Sequence, residues 1–265
     1  MIAEPALQGR DRGGFALLTV LWLITALSAI VGLSMASTRL GNQASANRIV
    51  LARGRWAAEA CLAIVQARWA QQRLPDTATI DLGRGLHCGW NVLDPTARVN
   101  FNTADRDMLQ ALGLSEAFVR AVLEHRRQAP FEDLAQVVEL PDFDSVAARV
   151  GTVIGPGSVN LSAALGAVLR ALPGLTPEAV DRILYRRRVG RPVASLDELA
   201  AELSPPGRAA LMNRYADLAR LVTFTAPQLV LRAEGWIEEL APRATIELVV
   251  VPLPERLAVV GRRMW

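Results

Sequence analysis

A single long apolar segment near the amino terminus constrains this chain more than any other feature. Residues 15–38 contain no charged side chain. As a helix rising about 1.5 Å per residue, the segment would be about 36 Å long, which exceeds the roughly 30 Å hydrocarbon core of a bilayer. Arg10 and Arg12 precede it, and the positive-inside tendency therefore predicts a cytoplasmic amino terminus. We expect a single-pass inner-membrane protein whose bulk is periplasmic.

A Gly-Phe junction, Gly14-Phe15, lies directly before the apolar segment. An ordinary secretory signal is cut behind a shorter apolar region of roughly 7–15 residues, which here would place the cut near Ser34-Met35-Ala36. The observed order resembles the type III signal of the type IV pilin and pseudopilin superfamily. That resemblance implies that a dedicated prepilin peptidase cuts between Gly14 and Phe15 and methylates Phe15. A plain uncleaved anchor and a removed signal peptide are the alternatives.

The two cysteines, Cys61 and Cys88, leave two possibilities open. In an oxidising compartment a disulfide between them would close a loop that stabilises the fold by about 3–4 kcal/mol. Cys61 also lies on a predicted helix, where a buried free thiol is equally reasonable.

The outer part of the chain has an α+β pattern. No proline interrupts residues 15–73, and apolar residues recur there at helical spacing. We expect one long helix whose sheet-facing stripe is made of Ile49, Trp56, Ala60, Ala63, Ile64 and Ala67. Strand patterns are present at residues 79–82, 86–92, 228–237, 244–251 and 257–260. Together they predict a long helix packed on an antiparallel sheet.

Between these strands the chain contains an internal duplication with an offset of about 60 residues. The sequence VNFNTA at residues 99–104 matches VNLSAA at residues 159–164, and LQAL at 109–112 matches LRAL at 169–172. Each copy reads as a helix, a glycine turn and a second helix. Ser115 and Thr176 are predicted N-caps, and residues 195–198 form a predicted capping box. The insert therefore resembles a pair of helix-hairpin-helix or SAM-like modules.

DNA binding by these modules is disfavoured. Helix-hairpin-helix units hold phosphate at a turn with two glycines, whereas here Gly113 and Gly174 are followed by Ser115 and Thr176 in place of the second. The arginines of both units, Arg126, Arg127 and residues 186–188, could contact phosphate. Ion pairs with Glu124, Asp181, Asp197 and Glu198 explain them equally well. The net charge is only +3, from 29 arginines and 26 acidic residues.

No enzyme motif is present in the sequence. His87 and His125 are the only histidines, without metal-binding spacing, and there is no Gly-rich phosphate loop or G-x-S-x-G elbow. We therefore expect no catalysis.

The joint pattern resembles the K-type minor pseudopilin family of the type II secretion system. The resemblance is carried by the Gly-Phe junction, the long first helix, the VNFNTA segment that opens the duplicated insert, and the closing strands LVLRAE and VVGRR. It implies an α+β, pilin-like fold in which a long N-terminal helix packs on an antiparallel sheet, with an inserted all-α duplicated helix-hairpin-helix or SAM-like domain. The expected division is a leader at 1–14, a transmembrane part at 15–38, helix and first strands at 39–98, a helical insert at 99–222 with repeats at about 99–158 and 159–222, and closing strands at 223–265.

The resemblance also implies a function. The protein would be a structural subunit at the tip of a periplasmic pseudopilus, which initiates assembly with the I-, J- and H-type minor pseudopilins on the inner-membrane secretion platform and supports export across the outer membrane. Thr19 would be the fifth mature residue, where most pilins carry Glu. Calcium is implied by the family, and Asp94, Asp105, Asp107, Asp142 and Asp144 offer oxygen ligands, but their spacing matches no EF-hand loop and assigns no site. The runner-up functions are a membrane-anchored DNA receptor of natural competence and a hydrolase.

Overall fold

The computed structural model describes residues 12–237 and 242–264, with side chains from residue 17 onward. Residues 1–11 of the predicted leader lie outside the described residues. The backbone of Gly14 and Phe15 is helical, while their side chains lie outside the described part.

One helix, α1 (Arg12–Ala70), spans 59 residues, or about 89 Å at about 1.5 Å per residue. It ends three residues earlier than predicted because Gln72 has a positive φ of 54°, which stops the right-handed helix before Pro75.

Within the described residues the elements then follow in chain order: β1 (Thr77–Gly83), β2 (Leu86–Leu93), β3 (Val99–Asn100), α2 (Arg106–Ala111), α3 (Glu116–Gln128), α4 (Leu134–Val138), α5 (Ser145–Val150), β4 (Gly151–Thr152), β5 (Val159–Asn160), α6 (Gly166–Ala171), α7 (Pro177–Arg188), α8 (Leu196–Ala201), α9 (Pro205–Asn213), α10 (Tyr215–Leu221), β6 (Val222–Thr223), β7 (Leu229–Ile237), β8 (Ala244–Pro252) and β9 (Leu257–Met264).

Five strands form one sheet in the order β1-β2-β7-β8-β9, with every neighbouring pair antiparallel. β2 and β7 pair directly although the whole helical insert separates them in sequence. The insert therefore connects two neighbouring strands of one sheet. The predicted α+β fold is confirmed. The strand β9 and the strand β1 are the two edges.

The face of α1 that packs on the sheet differs from the predicted one. Its sheet-facing residues are fully or almost fully buried: Ala57, Ala58, Cys61, Leu62 and Val65. Of the predicted stripe, Ile49 is 56% exposed and Trp56 is 75% exposed, and Ala63 and Ala67 are exposed as well. Ala60 and Ile64 of the predicted stripe are half-buried, and Ile64 packs against the core between helix and sheet. The predicted stripe is therefore correct for Ile64 and wrong for the four exposed residues.

The physical reason for this difference is the close approach of α1 to the sheet. A Cβ atom on Gly235 of β7 would lie 2.0 Å from the Gly54 carbonyl oxygen and 2.5 Å from the Ala58 nitrogen. Backbone contacts backbone at this crossing, so only small side chains fit on that side of the helix. The larger Trp56 is left on the side away from the sheet.

The helical insert has one continuous core. Buried residues from Val99 through Val222 form a single apolar cluster, and the two repeats contact each other through α2 and α6. Two short parallel pairs, β3-β4 and β5-β6, join the beginning and end of each repeat. The sequence analysis did not predict these strands, because two residues are too few for a visible alternation.

Both repeats are built by the same local devices. Gly113 and Gly174 have positive φ values of 80° and 91° at the turn between the paired helices, a conformation that favours glycine. The hydroxyl of Ser115 accepts a hydrogen bond from the Phe118 N–H, and that of Thr176 accepts one from the Ala179 N–H. The predicted glycine turns and N-caps are confirmed.

Candidate functional site

The amino-terminal part of α1 is long and apolar enough to cross a membrane. It is the one helix in the described residues that meets this criterion, with a mean hydropathy of 2.2 and none of its apolar window buried. Two threonines in this segment hydrogen-bond within the helix: the Thr25 hydroxyl donates to the Leu21 carbonyl at 2.8 Å, and the Thr38 hydroxyl donates to the Ser34 carbonyl at 2.8 Å. Such bonds satisfy hydroxyl groups that have no water to bind in hydrocarbon.

Above this segment α1 presents an apolar face away from its own sheet. We call it the outward stripe and define it as Ile49, Trp56, Ala63 and Ala67. All four side chains are exposed. Exposed tryptophan beside alanines is suited to packing against a second helix, because the small residues allow the two backbones to approach.

A groove lies between α1 and the edge strand β9, next to this stripe. We call it the α1–β9 groove; its volume is about 730 Å³. Leu51, Trp56 and Met264 supply its apolar surface, and Arg48, Arg55, Glu59 and Arg262 its charged surface. Arg262 pairs with Glu59, which ties β9 to the helix.

The edge strand β9 carries further exposed apolar side chains. Val259 and Val260 are 50% and 59% exposed. The register shifts between Val249 and Val250 of the neighbouring strand, and a shift of this kind interrupts the flat edge. On the opposite side of β9, Arg263 pairs with Asp133 of the insert at 2.9 Å, so this strand also contacts the helical domain.

The paired arginines of the insert are used internally. Arg187 donates to the carbonyl of Ala164 at 2.7 Å and to that of Leu161. At the equivalent place in the first repeat, Arg126 donates to the carbonyls of Phe101 and Ala104. The duplication thus preserves an arginine that satisfies buried backbone oxygens, and burial lowers the pKa of Arg187.

The neighbouring arginines are paired with carboxylates. Arg186 binds both Glu198 and Glu202, and the Glu198 contact raises the pKa of Arg186. Arg127 pairs with Glu124 at 2.8 Å. Arg188 is exposed. Of the predicted ion pairs, those with Glu124 and Glu198 form, whereas Asp197 accepts from the Tyr215 hydroxyl and Asp181 makes no salt bridge among the described residues. The family match does not support the DNA-receptor alternative.

The aspartates considered for calcium serve mainly as helix caps. Asp105 and Asp144 accept from the N–H groups of Met108 and Ala147. Asp94 accepts from the Thr96 N–H and from the Asn160 amide. Across residues 12–237 and 242–264, no three His, Cys, Asp or Glu side chains form a metal-binding group.

The two histidines contact aromatic rings. His125 stacks on Phe131 with ring centroids 4.2 Å apart, and His87 stacks on Trp236 at 6.0 Å. In the described part of the chain, neither histidine belongs to a group of His, Cys, Asp or Glu side chains that could hold a metal ion.

The cysteines meet between α1 and β2. The structure joins Cys61 to Cys88 by a disulfide with a Cα–Cα distance of 5.9 Å. Both residues are fully buried in the core between helix and sheet. The bond attaches the helix covalently to a central strand.

These features define a pilin-like protein with a helical insert. The family model described as "Type II secretion system (T2SS), protein K" matches residues 99–155, which cover most of the first repeat. Among solved structures, one chain of the GspK-GspI-GspJ complex of the type 2 secretion system from enterotoxigenic Escherichia coli has the same fold. Its TM-score is 0.55 at 12% identity, over 97% of this chain and 99% of that chain. No curated protein is similar enough in sequence to count as a match.

The resemblance to the K-type minor pseudopilins of type II secretion, predicted from the sequence, is thereby confirmed. Residues 99–155, in the first repeat of the insert, match the family model, and nearly the whole chain has the fold of one chain of the solved complex. The sequence analysis missed the α1–β9 groove. The one sequence feature that could have indicated the groove is the segment 39–58, which has four arginines and no acidic residue.

Proposed function

We propose that this protein is a tip subunit of a periplasmic pseudopilus, which initiates pseudopilus assembly and supports protein export. The observation that carries the proposal is α1, which runs unbroken from a membrane-spanning stretch into an exposed apolar stripe. A helix of this kind both holds a subunit in the membrane and offers a surface for neighbouring subunits. Its role is structural rather than catalytic.

The helical insert supports the tip position. It is a large module inserted between β2 and β7, and a bulky module is easiest to accommodate where no further subunit stacks above. The threonine at position 19, where most pilins carry Glu, also supports the tip position. A carboxylate inside a bilayer costs about 2.5–3.5 kcal/mol without a partner, so a subunit with no neighbour above it gains nothing from Glu at that position.

Processing and topology follow from the same proposal. The amino terminus lies in the cytoplasm, prepilin peptidase cuts between Gly14 and Phe15, Phe15 is methylated, and the bulk is in the periplasm. The solved relative is in a complex named for GspK, GspI and GspJ. We accordingly propose the I- and J-type minor pseudopilins as direct partners, with the H-type subunit and the inner-membrane platform as further ones.

A secretion assay in a deletion strain tests the proposal. Loss of this gene should abolish export of type II substrates into the medium, and the wild-type gene should restore it. Gly14→Leu should fail to restore it and leave uncleaved precursor in the membrane, because the peptidase requires a small residue there. Normal secretion in the deletion strain would refute the proposed function.

A further inference from the structure

We propose that the α1–β9 groove binds an acidic face of a second membrane-anchored helix that runs parallel to α1. This proposal deepens the proposed function and rests on it, because another pseudopilin subunit would supply such a helix. It specifies which surface of the subunit is used and which charge the partner carries there.

The first observation is an unbalanced positive charge. Segment 39–58 contains Arg39, Arg48, Arg53 and Arg55 and no acidic residue. Arg48 and Arg55 line the groove, and among the described residues neither makes a salt bridge. Glu59 lies in the same groove, but it is paired with Arg262. The groove therefore attracts carboxylates.

The second observation is the apolar surface between these charges. Trp56 is 75% exposed, and Met264 and Leu51 are 45% and 42% exposed. Large apolar side chains beside arginines fit an amphipathic helix that carries apolar and acidic residues at helical spacing. A guanidinium beside a partly dry surface also binds a carboxylate more strongly than one in open water.

The third observation is the height of the groove above the membrane. At about 1.5 Å per residue, Arg48 and Arg55 lie about 15 Å and about 26 Å beyond Thr38. Surface potentials of lipids decay within a Debye length of about 8 Å at physiological salt. Anionic headgroups therefore do not account for Arg55, whereas a helix rising beside α1 reaches both arginines.

A matched pair of charge reversals tests the proposal. Full-length tagged protein is co-expressed with the I- and J-type minor pseudopilins of the same bacterium and captured from detergent-solubilised membranes. The recovered partners are quantified across a salt series. Arg55→Glu reverses a charge inside the groove. Arg53→Glu reverses another exposed charge, two residues away, that does not line the groove.

We expect Arg55→Glu to lower partner recovery by about tenfold and to remove its salt dependence, because a close charge pair at an interface then becomes a repulsion. Arg53→Glu should leave recovery within about twofold of the wild type. Trp56→Ala should lower recovery without changing the salt dependence. Equal recovery with Arg55→Glu and wild type would overturn the groove assignment while leaving the proposed function intact. Failure of the wild type to capture either partner would overturn the proposed function as well.

Discussion

At the scale of single residues, the crossing of α1 over β7 depends on two glycines. Gly54 and Gly235 allow the helix backbone to contact the strand backbone directly. This close approach determines which side of α1 faces the sheet, and it leaves Trp56 outside. The same helix therefore packs its small residues inward and presents its largest apolar side chain outward.

Gly235→Ala should destabilise the protein by about 1–3 kcal/mol, because the added methyl group has no room and the helix must shift. Gly261→Ala in β9 is the matched control, since its Cβ would lie 3.6 Å from the nearest atom, Cβ of Val249. Thermal unfolding of the detergent-purified full chain measures both changes. Equal melting temperatures for the two variants would mean that α1 does not contact β7 as described.

At the scale of elements, the disulfide connects α1 to the sheet, and capping and ion-pair contacts connect neighbouring helices of the insert. Cys61 and Cys88 connect α1 to β2 in the core between helix and sheet. In the insert, Glu198 accepts from the Ala194 N–H and binds Arg186, while the Ser195 hydroxyl accepts from the Glu198 N–H. The Ser195 N-cap of the predicted capping box is thus confirmed, whereas Glu198 accepts from the Ala194 N–H in place of the Ser195 N–H and adds an ion pair to α7.

Removal of the disulfide should lower stability by about 3 kcal/mol, because the unfolded chain regains the entropy of the closed loop. A reducing agent should therefore lower the melting temperature of the wild type. The Cys61→Ser/Cys88→Ser double variant should melt at a lower temperature that the reducing agent does not change. A wild type whose melting is insensitive to reduction would contradict this account.

Acid should weaken the insert through Glu198. The Ala194 N–H and Arg186 lower the pKa of Glu198 below its ordinary value of 4.5. A carboxyl whose folded-state pKa is lowered stabilises the fold above the unfolded pKa, and this contribution is lost as pH falls through the folded value. The melting temperature should thus fall as pH drops below 4.5, with a shallower fall in Glu198→Gln. Glu124→Gln, which removes the exposed partner of Arg127, is the control and should follow the wild-type curve.

Several elements could be predicted from the sequence because their signals are local. The apolar segment of α1, the strand alternation and the glycine turns each depend on residues close together in the chain. The face of α1 that packs on the sheet could not be predicted in this way. It depends on Gly235, which is far from α1 in sequence and whose contact with Gly54 appears only in the folded chain.

At the scale of the whole molecule, the fold separates two tasks. The sheet and α1 share one apolar core, and the insert between β2 and β7 has a second core of its own. Several of the insert's arginines bind carbonyl oxygens or carboxylates within the insert, whereas α1 and the edge strand β9 carry exposed apolar side chains beside arginines. The groove between them could not be predicted from sequence, because Arg55 and Arg262 line the same groove only after the sheet has formed.

We propose that this subunit occupies the end of a pseudopilus and does not extend one. The most direct test is the position of an epitope-tagged copy in fibres assembled with the other pseudopilins, located by gold labelling in electron microscopy. We predict label at one end of each fibre and no fibres when this subunit is expressed alone. Label along the whole length, or homopolymeric fibres of this subunit, would contradict the account.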